Sequence, residues 1–222
     1  MNVISGELSE ITKDQAEAMP MSDAWKDESI PYQQLNLTNR EVAAWLAGQS
    51  VAPFDVIRES LSGLSGSLLE IGCGVGHYNR VIRECGDFQY FGVDYSELAI
   101  ALAMDDCFHV MDASQLDFSD NSFDIVISGC VLLHIVDWRT ALKESARVAR
   151  QYLILHRTPV SDEPTRYFHK KAYGVDCVEI HFNRAEIVVE AESHGFTLKK
   201  TFPVTKGQET LLFERSLFHH PV

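Results

Sequence analysis

A chain of 222 residues, 45% hydrophobic and 23% charged, holds enough apolar mass for one domain with a small appendage and has the composition of an ordinary globular protein. Its 32 acidic and 19 basic residues leave a formal net charge of −13, which opposes a nucleic-acid partner because neutralising phosphates takes a Lys/Arg surface. No apolar run approaches the roughly 18 residues of a membrane span, and the start lacks a basic segment followed by an apolar core, so neither a membrane anchor nor a secretory signal is expected.

Residues 1–20 are acidic and weakly periodic, which suits an amphipathic helix or a partly ordered arm. Trp25, Tyr32 and Gln33 then occupy a segment, 25–37, expected to cap one side of a ligand pocket. The run Thr38-Asn39-Arg40-Glu41, followed by Val42, Trp45 and Leu46, predicts a helix that starts at Thr38 and stops at Gly48. Pro53 opens a second helix carrying Phe54, Ile57 and Leu61 and closing at Gly63, so residues 1–62 read as a helical N-terminal cap. From 67 onward strands (67–71, 89–93, 108–111, 123–129, 151–156, 196–203, 209–215) alternate with helices (76–85, 96–104, 138–149, 183–193). That alternation predicts an α/β domain over 63–222, with a mostly parallel seven-stranded sheet and helices on both faces. Lys206-Gly207-Gln208 is short enough for a hairpin, which makes the last strand antiparallel. Residues 157–182 exceed the roughly 2–6 residues of an ordinary connection and are expected to fold over the pocket as a lid, with alternation placing Glu179 and His181 on one face. The five cysteines, Cys73, Cys85, Cys107, Cys130 and Cys177, lack a C-x-x-C spacing and suit a reducing cytoplasm.

The densest signal is Leu68-Leu69-Glu70-Ile71-Gly72-Cys73-Gly74-Val75-Gly76-His77-Tyr78, an apolar strand running into three alternating glycines. Glycines there let the chain turn sharply and let a ligand approach the main chain. The dinucleotide fingerprint would need a glycine where His77 stands, and no Gly-Lys-Ser/Thr follows as in a P-loop. Asp94 ends the next strand about 20 residues on, where a carboxylate suits a ribose diol. Glu70, just before the loop, is placed to hold an ammonium group directly or through water; it would repel a pyrophosphate.

These motifs, with Asp112-Ala113 after the third strand and Ser122 to Trp138 around the fourth, resemble the class I S-adenosylmethionine-dependent methyltransferases of the small-molecule branch. The resemblance spans residues 66–156 and implies a Rossmann-like fold, with S-adenosyl-L-methionine as cofactor and S-adenosyl-L-homocysteine as product. It implies that main chain around Gly72, Cys73, Gly74, Gly76, Ser128 and Gly129 holds the methionine part, that Asp94 takes the ribose, and that Asp112 and Ala113 read adenine with Tyr95 flanking it. His134 falls on the family's V-L-x-H position; it and His156 are the candidate bases, because an imidazole can take a proton at neutral pH. Tyr32, Arg157, Tyr173 and His181 are candidate acceptor or lid residues. His156, Glu179 and His181 are also candidate metal ligands, but sparse His and Glu in a connection more often hydrogen-bond than ligate, so no metal is expected.

The family's amino-methylating nucleic-acid enzymes carry Asp/Asn-Pro-Pro-aromatic where this chain reads Ser128-Gly129-Cys130-Val131, which favours O- or C-methylation of a small molecule. No nucleic-acid or membrane partner is expected, and a homodimer is compatible with the sequence. Competing readings are a non-catalytic cofactor-binding protein, a protein methyltransferase and, more remotely, a nicotinamide oxidoreductase.

Overall fold

The computed structural model describes residues 7–19, 25, 27–103 and 105–216. Of the segment read as a helix or arm at 1–20, residues 1–6 and 20 lie outside the described residues. The rest forms strand β1 (Ser9–Ile11) and helix α1 (Lys13–Ala18), which Thr12 and Gln15 start by exchanging side-chain to backbone hydrogen bonds.

Helix α2 (Ser29–Leu46) corrects the expected start at Thr38. Asp27 accepts from the Ser29 N–H at 2.9 Å, and Pro31 sits in the first turn, where its missing N–H costs no hydrogen bond. Thr38 is mid-helix, and its hydroxyl donates to the Gln34 carbonyl at 2.8 Å instead of capping. Helix α3 (Ala52–Ser60) has Pro53 in its first turn as expected.

The strands and helices of the central unit are β2 (Gly66–Ile71), α4 (His77–Ile82), β3 (Phe88–Asp94), α5 (Glu97–Ala103), β4 (Phe108–Val110) and β5 (Phe123–Gly129). After a 3-10 turn at Leu132–His134 come α6 (Trp138–Val148), β6 (Ala149–Ser161), β7 (Arg166–Ala172) and β8 (Val175–Asn183). Helix α7 (Arg184–Ser193) and strands β9 (Phe196–Thr205) and β10 (Gln208–Arg215) complete the described chain. Asn183 caps α7 as its sequence position suggests, accepting from the Glu186 N–H at 3.0 Å.

The strand order β9-β10-β6-β5-β2-β3-β4 is the expected seven-stranded sheet, parallel except for β10, which runs against both neighbours. Strands β1, β7 and β8 raise the count to ten. Successive side chains of the central strands enter opposite layers. Leu69, Val126, Leu153 and Leu155 meet Trp138, Leu142 and Ile187 on one face, while Leu68, Ile125, Ile127 and Ile154 meet Phe54, Ile57, Tyr78 and Val81 on the other.

The lid-like segment is more regular than a long connection. Strand β6 continues to Ser161, and β7 and β8 form an antiparallel hairpin with Ala172 opposite Val175. Tyr173 and Gly174, at φ of 52° and 89°, make the two-residue turn, since consecutive positive φ values match the twist of the flanking strands. Strand β1 pairs with the outer edge of this hairpin, and β8 with the end of β6. Among the described residues no helix is long and apolar enough to cross a membrane.

Candidate active site

The carboxyl ends of β2, β3 and β5 open on a cavity of about 570 Å³, walled also by α1, α2, the start of α4 and the β7–β8 turn. Ligands of open parallel sheets bind at this end of the strands. Gly72, at φ 67°, is required where it stands, because a Cβ would lie 2.5 Å from Val131 Cγ2. With Cys73, Gly74 and Gly129 it lines the cavity floor.

Asp94 sits on the same wall. Its Oδ2 accepts from the Gly74 N–H and its Oδ1 from the Ser96 N–H, each at 2.9 Å, so the glycine loop and the start of α5 fix the carboxylate. Burial raises its pKa, and these N–H donors oppose the rise. Tyr95, Asp112 and Ala113 continue the wall from the ends of β3 and β4. Asp112 is exposed, and its Oδ1 accepts from the Ser114 N–H at 2.8 Å.

Glu70, Ser128 and Gly76 do not line the cavity. Ser128 is buried in β5, and Gly76 precedes α4 and faces Phe108. Glu70 is 1% exposed behind Gly129, where a Cβ would run into Glu70 Oε1. The Tyr90 hydroxyl donates to Glu70 Oε2, while Oε1 has no partner. Burial, with the Asp94 charge adding to it and the Tyr90 hydrogen bond opposing it, pushes the Glu70 carboxyl up to about 8.

The opposite part of the cavity is aromatic and partly charged, with Trp25, Phe54, His77, Tyr78, His134, Arg157 and Tyr173 on its walls. His134, on the 3-10 turn, has Nδ1 2.7 Å from the Val178 carbonyl. That bond assigns the ring proton to Nδ1 and leaves Nε2 as the acceptor. The Trp25 ring packs 4.6 Å from the imidazole, and burial pushes the His134 pKa down to about 4. Arg157 is partly buried at φ 54°, and its Nε has no acceptor.

Three expected residues lie elsewhere. His156 is 1% exposed and off the lining; Tyr78 Oη meets its Nε2 and Thr210 Oγ1 its Nδ1, each at 2.8 Å, so both nitrogens are engaged away from the cavity. Tyr32 is 52% exposed on the outer side of α2, whereas Pro31 and Gln34 face the cavity. His181 shares a face with Glu179 as alternation suggests, but its Nε2 is 3.0 Å from Glu179 Oε1 and its ring stacks on Phe168 at 4.6 Å. Lys170, on the cavity wall, also pairs with Glu179. Burial would raise Glu179, yet His181 and Lys170 hold it at about 2. Among the described residues no group of three His, Cys, Asp or Glu could hold a metal ion.

Sequence reasoning missed His77, Tyr78, Gln34, Glu41 and Cys130 on the walls. His77 and Tyr78 open the helix after the glycine loop, a turn that faces the same mouth, so their position was a usable signal. Gln34 and Glu41 lie two helical turns apart on α2, a face that the late helix start concealed.

A family described as a methyltransferase domain matches residues 69–154. The chain is 31% identical over 130 residues to a phosphoethanolamine N-methyltransferase of Arabidopsis thaliana, a match covering 51% of this chain and 26% of that protein. It is 32% identical over 121 residues to a protein of Mycobacterium tuberculosis named as a probable S-adenosylmethionine-dependent methyltransferase, covering 49% of this chain and 44% of the relative. The chain thus spans less than half the length of either relative. Among solved structures, the Burkholderia thailandensis 1,6-didemethyltoxoflavin-N1-methyltransferase with bound 1,6-didemethyltoxoflavin and S-adenosylhomocysteine superposes with a TM-score of 0.61 at 18% identity, over 96% of this chain and 95% of that one. At that identity the likeness speaks for the fold alone.

Proposed function

We propose, for a chain that belongs to the class I S-adenosylmethionine-dependent methyltransferases, that it transfers a methyl group to a small-molecule acceptor at oxygen or carbon. The observation that carries this reading is Asp94, fixed on the cavity wall by the N–H groups of Gly74 and Ser96. Each of its oxygens already accepts one backbone bond and keeps a lone pair for one ribose hydroxyl. Asp112, Ala113 and Tyr95 supply an edge and a face for adenine beside it, and the main chain at Gly72, Gly74 and Gly129 is open to an amino-acid tail. Glu70 acts on that tail through Gly129 rather than by contact, because it lies behind the floor. These residues fit S-adenosylmethionine.

When bound, that cofactor supplies an electrophilic methyl group on a sulfonium, whose sulfur leaves as a neutral thioether. The protein's work is then to position the acceptor and to exclude water, which Phe54, Leu37, Ile135 and Tyr173 do from the cavity walls. His134 stays neutral at physiological pH with Nε2 as acceptor, so it can take the proton that a hydroxyl or an acidic carbon must lose. His156 has no such route, since Tyr78 and Thr210 hold both its nitrogens.

Small-molecule acceptors are supported by an enclosed cavity and by the relatives' names, one of which is phosphoethanolamine N-methyltransferase. Oxygen or carbon is favoured over a nucleobase amine by Ser128-Gly129-Cys130-Val131 after the fourth central strand. Calorimetric titration with S-adenosylmethionine, S-adenosylhomocysteine and NAD tests the reading. Saturable binding of the first two, lost in Asp94→Ala, is expected; binding of NAD alone, or of nothing, refutes it.

A further inference from the structure

Strands β6 and β10 fall out of register at one place. Leu155 is opposite Leu211 and Thr158 opposite Glu209, so His156 and Arg157 together face the single residue Thr210. This is a β-bulge, and Arg157 takes its strained conformation at φ 54°. Bulges re-aim side chains, and here the aim divides: His156 goes behind the wall to Tyr78 and Thr210, and Arg157 goes to the cavity.

The charge that arrives there is unmatched. Arg147, Arg150 and Arg184 each pair with a carboxylate, and Lys170 on the same cavity wall is paired with Glu179. Arg157 makes no ion pair among the described residues, and its Nε has no acceptor. Its polar surroundings are the Tyr78 hydroxyl and the Cys130 sulfur, with the exposed Glu41 carboxylate farther along the wall. A cation removed from water without a counter-ion costs free energy, and so does a positive φ at a non-glycine residue. Folding alone rewards neither, whereas an oxyanion entering the cavity would compensate both.

We infer that the acceptor is a small anion, a carboxylate or a phosphate ester on an apolar body, and that Arg157 seats its charged end while Phe54, Leu37 and Tyr173 flank the body. The inference rests on the methyl-transfer reading of the same cavity.

The test uses protein saturated with S-adenosylhomocysteine and three probes of one shape, benzoate, phenyl phosphate and the neutral benzamide, followed by ligand-observed NMR and calorimetry. At least one anion is expected to bind about tenfold or more tighter than benzamide, as a charge-assisted bond implies. Arg157→Gln should abolish that preference and Arg157→Lys keep part of it. Arg157→Gln should also melt no lower than the wild type, because it removes an uncompensated charge; a purely structural arginine would lower the melting temperature. Equal binding of the three probes, or none, overturns the anion seat while leaving cofactor binding intact. A comparable loss of S-adenosylhomocysteine affinity in Arg157→Gln would assign the arginine to the cofactor's own carboxylate and overturn the acceptor assignment. Failure of the wild type to bind S-adenosylhomocysteine would refute the methyl-transfer reading, and this inference with it.

Discussion

Replacing Glu70 by Gln isolates one buried titration. The carboxyl is 1% exposed, and burial raises it from an ordinary 4.5 to about 8 in the folded chain. Folding therefore favours the protonated form. Its contribution is fully present below about 4.5 and is lost as pH rises through about 8, because the unfolded chain gives up the proton first. The difference of about 3.5 pH units, at about 1.4 kcal/mol each, amounts to about 5 kcal/mol above pH 8 and about 3 kcal/mol at pH 7. Glutamine keeps the shape, offers an oxygen to the Tyr90 hydroxyl and cannot ionise. Urea unfolding of both proteins from pH 5 to 9 should show little difference at the acid end and a growing advantage for Glu70→Gln as pH rises. A stability difference that stays flat across that range would refute the argument.

Gly72→Ala combines a positive φ with a clash against Val131 and should cost about 2–4 kcal/mol in urea unfolding; Val131→Ala added to it should recover only the clash. Once an acceptor turns over, His134→Gln should lower kcat about 10²-fold or more and leave S-adenosylhomocysteine affinity unchanged. With the neutral ring as the active form and a pKa of about 4, the wild-type rate should be level from pH 5 to 8 and fall below that, and a rate that rises through pH 6.5 would exclude this histidine as the base. Lys170→Met strands Glu179 and should cost about 2 kcal/mol at pH 7 by thermal or urea unfolding. Because the pair holds Glu179 at about 2, its stabilisation is present above about 4.5 and fades as pH falls, so mutant and wild type should converge in acid.

The central sheet was legible because its strands are short apolar runs buried on both faces, and the glycine loop and Asp94 were legible because their chemistry is local. The start of α2 was not: Thr38-x-x-Glu41 has the form of a cap, and only the Thr38 bond to the Gln34 carbonyl shows that the helix had already begun. The β7–β8 hairpin hid behind Tyr173-Gly174, since tyrosine is an uncommon first residue for a turn with two positive φ values. His156 and Arg157 are neighbours with opposite fates, decided by a bulge against Thr210 in a strand more than 50 residues away. No local pattern carries that information. Glu70 matched its motif, yet the absent Gly129 side chain and the Tyr90 hydroxyl set its depth behind the floor.

The pairing of β1 with β7 joins the N-terminal segment to the hairpin by three residue pairs, Ser9 with His169, Glu10 with Phe168 and Ile11 with Tyr167. Ala16 and Glu17, just beyond this contact, and Lys170, Ala172 and Tyr173 on the hairpin all border the cavity. So short an edge pairing is a clasp that opens far below the free energy needed to unfold the central sheet. Product departure can then proceed by unfastening the clasp while the sheet stays whole, which makes the tempo of turnover a property of the weakest strand in the molecule.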